Sequence, residues 1–118
     1  MLPKQNRLRK NKDFENIFKN SKSLRSAFVV FKTTKNNVNL NRFGFVVSCK
    51  ISKKATIRNK VRRRLAEIVA ALSENMKKGN DVILIAMPGI EKKDFSETKR
   101  DIISAFIKLG LTLKEKNV

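Results

Sequence analysis

The sequence predicts one domain of 118 residues, an α/β (α+β) two-layer sandwich with helices mainly on one face of a single sheet. Three observations carry this. Residues 56–78 place apolar side chains at helical spacing. Two Val/Phe-rich segments of strand character precede that helix. A near-continuous apolar strand, DVILIAM at residues 81–87, follows it. The order read from the residues is helix–strand–strand–helix–strand–helix.

Residues 1–10 (MLPKQNRLRK) read as a polar, basic arm. Asn11 can cap a short helix running from Lys12 to about Asn20, with Phe14, Ile17 and Phe18 at i, i+3 and i+4. Residues 21–26 read as a polar connector. Residues 27–34 (AFVVFKTT) have strand composition, and alternation sends Phe28 and Val30 to one face and Val29 and Phe31 to the other. One of these faces meets the core; the other is free to serve as a stacking platform. After the loop KNNVNLN, residues 42–48 (RFGFVVS) form a second strand, in which Gly44 marks a bulge or close backbone packing. With only a short polar loop between them, the two strands are expected to pair antiparallel.

The long helix is expected over residues 56–78, with Gly79 as its stop. At 100° per residue, Ile57, Val61, Leu65, Ile68, Val69 and Leu72 fall within an arc of about 120°. Asn59, Arg62 and Arg63 flank that stripe on one side, Lys60 and Arg64 on the other, and Arg58 sits at its edge. Pro88-Gly89 ends the strand at residues 81–87. Asp94 and Glu97 resemble a capping box opening a last helix over residues 95–109, with Ile102, Ile103, Phe106 and Leu109 inward. The tail, residues 111–118, is expected to fray.

Charge is distributed very unevenly. Residues 1–64 hold 19 Lys+Arg and 2 Asp+Glu, whereas residues 65–118 hold 9 and 8. Eight basic residues and no acidic one occupy residues 50–64, KISKKATIRNKVRRR, which run straight into the apolar helix. Folding does not require this; self-repulsion opposes it, and a polyanion relieves it. Solubility needs a much smaller excess than the net +18. A membrane-surface helix would carry Trp or Phe opposite its cations, where this one carries Ile, Val, Leu and Ala. The helix start already bears partial positive charge, so a basic cluster there is placed against helix stability and suits an incoming anion.

The absences narrow the chemistry. The chain has no histidine and one cysteine, Cys49, so neither a zinc site nor an internal disulfide is expected. Cys49 ends an apolar strand pattern and reads as structural. No phosphate loop or GxGxxG occurs. Apolar runs are about half the roughly 18 residues a membrane span needs, and residues 1–10 lack the apolar segment of a signal peptide. A cytoplasmic, non-membrane protein without a protein-borne active site or bound cofactor is expected.

Several segments, in order, resemble the protein subunit of bacterial ribonuclease P. NRLRKNKDFENIF (residues 6–18) resembles that family's N-terminal segment, and RFGFVVSCK (42–50) its strand leading into a Val-Ser-Lys-Lys pattern. IRNKVRRRLAE (57–67) is similar to its Arg-Asn-Arg signature helix, and DVILIA (81–86) to the strand after it. The resemblance implies an α-β-β-β-α-β-α fold like domain 2 of ribosomal protein S5, with a left-handed crossover where the general rule predicts a right-handed one. One strand more than the residues show is then needed, and the stretch 27–49 is where it is expected.

The resemblance also implies the function: an RNA subunit cleaves precursor tRNA to leave the mature 5′ end, using Mg²⁺, and this protein assists while being inactive alone. It implies contact with the catalytic RNA through Lys53, Lys54, Arg58, Asn59, Lys60, Arg62 and Arg63. A cleft for the precursor's 5′ leader is implied at Arg7, Arg9, Phe14, Phe18, Phe31 and Lys50. Departures from the family pattern fall at Cys49, Ser52, Lys60, Ala66 and Met87; Lys60 keeps the charge of an arginine but loses its planar fork. Another basic RNA-binding or ribosomal protein is the competing reading, and a protein-only nuclease a third, which the missing histidine disfavours.

Overall fold

The computed structural model describes residues 2–8 and 10–112, with only the backbone of Asn11 included. Its elements are α1 (Asn11–Asn20), β1 (Lys22–Arg25), β2 (Val29–Lys35), β3 (Arg42–Val46), α2 (Ala55–Leu72), β4 (Asn80–Ala86) and α3 (Phe95–Lys108). The order is therefore α-β-β-β-α-β-α. The added strand is not a division of residues 27–49: it is β1, in the segment whose polarity reads as a connector. β1 is an edge strand with mostly exposed residues, so it shows no apolar alternation.

The sheet order is β1-β2-β4-β3. β2 and β3 do not pair, contrary to the expectation from their short loop. β4 inserts between them, antiparallel to β2 and parallel to β3. The central place suits the continuous apolar run of β4, five of whose seven residues, Asp81 to Leu84 and Ala86, are buried. α2 provides the crossover between the parallel pair β3 and β4.

Register sorts the side chains. Val29, Phe31, Val82, Leu84, Ala86, Phe43 and Phe45 share the face that packs beneath α2 and α3. From α2 come Val61, Leu65, Ile68 and Val69, and from α3 Ile102, Ala105 and Phe106. On the opposite face Ile83 meets Ile17 of α1 and Leu8, with Phe14, Val46 and Ile85 half-buried around them.

Element ends differ from the sequence reading for local reasons. α2 stops at Leu72, not at residue 78: Ser73 turns its hydroxyl back onto the Ala70 carbonyl and a single 3-10 turn follows. Gly79, with φ of 92°, then serves the turn into β4 rather than the helix end. α1 begins at Asn11 with Lys10 as its cap, one residue earlier than expected. The Asp94–Glu97 capping box is present, with both reciprocal bonds formed. The arm is not loose: Leu2 and Leu8 are buried, and the Leu8 N–H donates to the Phe43 carbonyl at 2.8 Å. Nor does the tail fray at once, since Leu111 is buried and accepts from the Lys77 N–H; residues 113–118 lie outside the described residues. Among the described residues no helix is long and apolar enough to cross a membrane.

Candidate nucleic-acid interface

α1 covers only part of its sheet face. Val30, Ile85 and Val46 lie side by side across β2, β4 and β3 as a half-buried floor. Phe14 and Phe18 of α1 stand over it. Gly44 explains how close Phe14 comes: a Cβ there would lie 2.6 Å from the ring. Gly44 thus marks close packing rather than a bulge. Phe18 is 47% exposed, and the Lys32 ammonium sits 6.0 Å from its ring centre, so a cation and an open aromatic face occur together.

Phe14 also belongs to a second wall. A groove of about 440 Å³ runs between the N-terminal segment, α1, β3 and α2, and Arg7, Phe14, Phe45, Asn59, Arg62 and Arg63 line it. Arg62 donates to the Asn59 carboxamide oxygen at 2.7 Å, which orients both across the groove. Arg7, exposed, pairs its backbone with Phe43 and sends Nε to the Leu2 carbonyl at 3.1 Å. The signature helix and Phe14 of α1 therefore share one concave surface. It carries cations on one wall and rings on the other.

The signature residues are not equivalent. Arg58 is half-buried and donates to the Ser52 carbonyl at 2.9 Å, bracing the loop before α2. It is a structural contact as well as a charge, unlike Arg63 and Lys60, which are exposed. Arg64, on the other flank, donates to the Lys93 carbonyl at 2.7 Å and ties α2 to the turn before α3. Lys50, Lys53 and Lys54 are exposed on the loop leading into α2, whose first turn holds no acidic residue. With the helix's own positive end, this loop forms a concentrated anion-attracting edge. Cys49 is exposed on the same loop, not built into the strand.

Phe31 does not reach the cleft. It is fully buried beneath α3, its ring 5.8 Å from that of Phe106 in an edge-on arrangement. β2 is bonded on both sides, and its register turns Val29, Phe31 and Thr33 toward the helices; Val30, Lys32 and Thr34 face the α1 side. Phe28, on the core side, is half-buried with the Lys93 ammonium 5.0 Å from its ring centre. Lys32 is thus the cleft residue that sequence reasoning missed, although period-2 alternation from Val30 points to it. Arg9 lies outside the described residues.

Asp81, buried at the start of β4, accepts two bonds from Arg42 at 2.8 Å and one from Asn36. Its hydrogen bond raises the Arg42 pKa above the ordinary value, against a desolvation cost and with the charges of Asp81 and Asp13 adding to it. Arginine is charged at any working pH, so from the Arg42 side this pair is insensitive to pH. Among the described residues no three Asp, Glu or Cys side chains converge to hold a metal ion.

A family model described as Ribonuclease P matches residues 2–110. The ribonuclease P protein component of Syntrophomonas wolfei is 34% identical over 117 residues, covering 99% of this chain and 98% of that protein. That of Clostridium botulinum (strain Langeland) is 37% identical over 109 residues, covering 92% and 97%. Among solved structures, the RNase P protein of Thermotoga maritima superposes with a TM-score of 0.79 at 32% identity, over 86% of this chain and 96% of that one. A Staphylococcus aureus RNase P protein mutant gives 0.85 at 25% identity, over 92% and 91%. With its fold, its signature helix and nearly its whole length matched, the chain belongs to the ribonuclease P protein component family.

Proposed function

We propose that this chain assembles with the catalytic RNA of ribonuclease P and holds the 5′ leader of precursor tRNA, while the RNA subunit carries out the cleavage. The observation that carries this reading is the shared groove, in which Phe14 faces Asn59, Arg62 and Arg63. Arginine forks and lysines suit phosphate oxygens, and open rings beside a cation suit unstacked bases. The start of α2 and the loop before it take the catalytic RNA through Lys53, Lys54, Arg58, Asn59, Lys60, Arg62 and Arg63. The cleft beside α1 takes the leader through Phe14, Phe18, Arg7, Lys32 and Lys50. In this reading the Mg²⁺ that the reaction uses acts with the RNA subunit. The isolated protein cleaves nothing in this reading, and it works in the cytoplasm.

The test is precursor-tRNA cleavage by a bacterial ribonuclease P RNA at low Mg²⁺, with and without the protein. The protein should raise the rate, and it should bind precursor more tightly than mature tRNA. Equal affinity for precursor and mature tRNA, with no effect on cleavage, would favour a general RNA-binding protein instead.

A further inference from the structure

At the end of the sheet away from the start of α2 lies a second groove, of about 750 Å³. Lys22 of β1, Lys35 of β2, and Lys77 and Lys78 before β4 line it, and all four are exposed. Its described lining residues include no Asp or Glu, and the only ion pair among the described residues is Arg42–Asp81. Four lysines from three chain segments therefore line one groove with no carboxylate among its described lining residues, a repulsive arrangement that contributes nothing to the core. Thr33 also lines this groove, and its hydroxyl is the one buried side-chain polar atom without a hydrogen-bond partner among the described residues.

The two grooves differ in chemistry. The first offers the half-buried rings of Phe14 and Phe45 beside its arginines. The second has no aromatic residue; between its lysines stand polar groups such as Asn20 and Thr34. None of its described lining residues can stack on a base, whereas its lysines, asparagines and threonines offer donors to phosphate oxygens and 2′-hydroxyls beside the apolar Leu109 and Leu111. That composition fits the backbone of paired RNA, read by shape and charge, and not an unpaired leader.

We propose that this lysine groove is a second contact with the catalytic RNA, holding the phosphate backbone of a paired segment. The inference rests on the proposed assembly with that RNA. The two basic ends are separated by the seven residues of β4, about 20 Å, so they bind different phosphates. The floor of the aromatic cleft, Val30, Ile85 and Val46, lies toward the α2 start, so precursor tRNA is engaged there. The far groove is left to a second segment of the large folded RNA, and the protein sits wedged between two of its strands.

The experiment compares the full-length protein with the combined variant Lys35→Ala, Lys77→Ala, Lys78→Ala. A control variant, Lys92→Ala, Lys99→Ala, Arg100→Ala, removes equal charge from another surface. Binding to a bacterial ribonuclease P RNA and to mature tRNA is followed over a salt series, with thermal unfolding alongside. The groove variant should bind the catalytic RNA more weakly, with a log affinity against log salt slope shallower by about 2–3. The control should change that slope by less than about 1, and tRNA binding should be alike for the two variants. Matching Lys→Gln changes repeat the comparison should the groove variant melt early. An unchanged slope, an equal loss in both variants, or a loss confined to tRNA would each overturn the proposal. Failure of the unaltered protein to bind catalytic RNA at all would instead refute the proposed function, and is read first.

Discussion

The two faces of the sheet are made from the same strands and have opposite fates. On one, Val29, Phe31, Leu84 and Phe43 are sealed beneath α2 and α3. On the other, a single ten-residue helix covers the middle and leaves Val30, Val46 and Ile85 half-buried beside an exposed Phe18. Burying those three fully would gain hydrophobic free energy, at roughly 25 cal/mol per Å². The fold forgoes this on one face only, and the cations of α2 meet that face at the β3 edge, through the groove that Phe14 shares with Arg62 and Arg63. Stability is concentrated on the sealed face, and recognition on the face left open.

Phe31→Ala should break the sealed face most severely. Its ring is fully buried against Phe106, so deletion leaves a cavity and should cost about 3–5 kcal/mol of unfolding free energy. Denaturant unfolding measures it. A loss under about 1 kcal/mol with a selective loss of leader affinity would reverse the face assignment. On the open side, Gly44→Ala places a Cβ 2.6 Å from the Phe14 ring. The ring must swing away, at about 1–3 kcal/mol by analogy with overpacking. Leader binding should fall with it, because the displaced ring is a wall of the groove. A variant with wild-type stability and leader affinity would show that Phe14 is not held there.

Phe18→Ala sharpens the contrast. The side chain is 47% exposed, so stability should stay within about 0.5 kcal/mol. Affinity for precursor tRNA should drop by about 1–3 kcal/mol for each base stack removed, with mature tRNA little affected. Equal losses for both tRNAs would mean that Phe18 is not reading the leader.

Much of this was legible in the sequence, unevenly. The apolar run of β4 and the stripe of α2 carry their own periodicity, and the Asp94–Glu97 box its own spacing, so these elements were found. β1 was missed because an edge strand exposed on most of its length has no apolar alternation to show. The non-pairing of β2 and β3 was missed because β4, which separates them, lies beyond α2 in the chain. Alternation placed Phe28 and Phe31 on opposite faces, yet both pack against the sealed core: β2 begins at Val29, so Phe28 precedes the strand and escapes its alternation. The resemblance then chose Phe31 for the cleft, and the structure gives that side to Lys32. For the signature helix, angular position separated Asn59, Arg62 and Arg63 from Arg64 correctly. It could not reveal that Arg58 folds back onto the Ser52 carbonyl.

That last distinction gives the smallest and most discriminating test. Arg58 and the pair Arg62 and Arg63 carry the same charge on the same helix end, yet only Arg58 donates to the backbone of another segment. Arg58→Ala should cost about 1 kcal/mol by removing that bond, since the site is half-buried and partly solvated. Arg62→Ala with Arg63→Ala should move stability by no more than about 0.5 kcal/mol, and upward if anything, because two cations leave a self-repelling basic run. The same double variant should make the salt dependence of catalytic-RNA binding shallower by about 2, near 0.9 for each phosphate no longer neutralised. Thermal unfolding and a salt series on one set of proteins measure both quantities. A destabilised double variant with an unchanged slope would mean that these arginines brace the fold, and that the open face lacks its cationic wall.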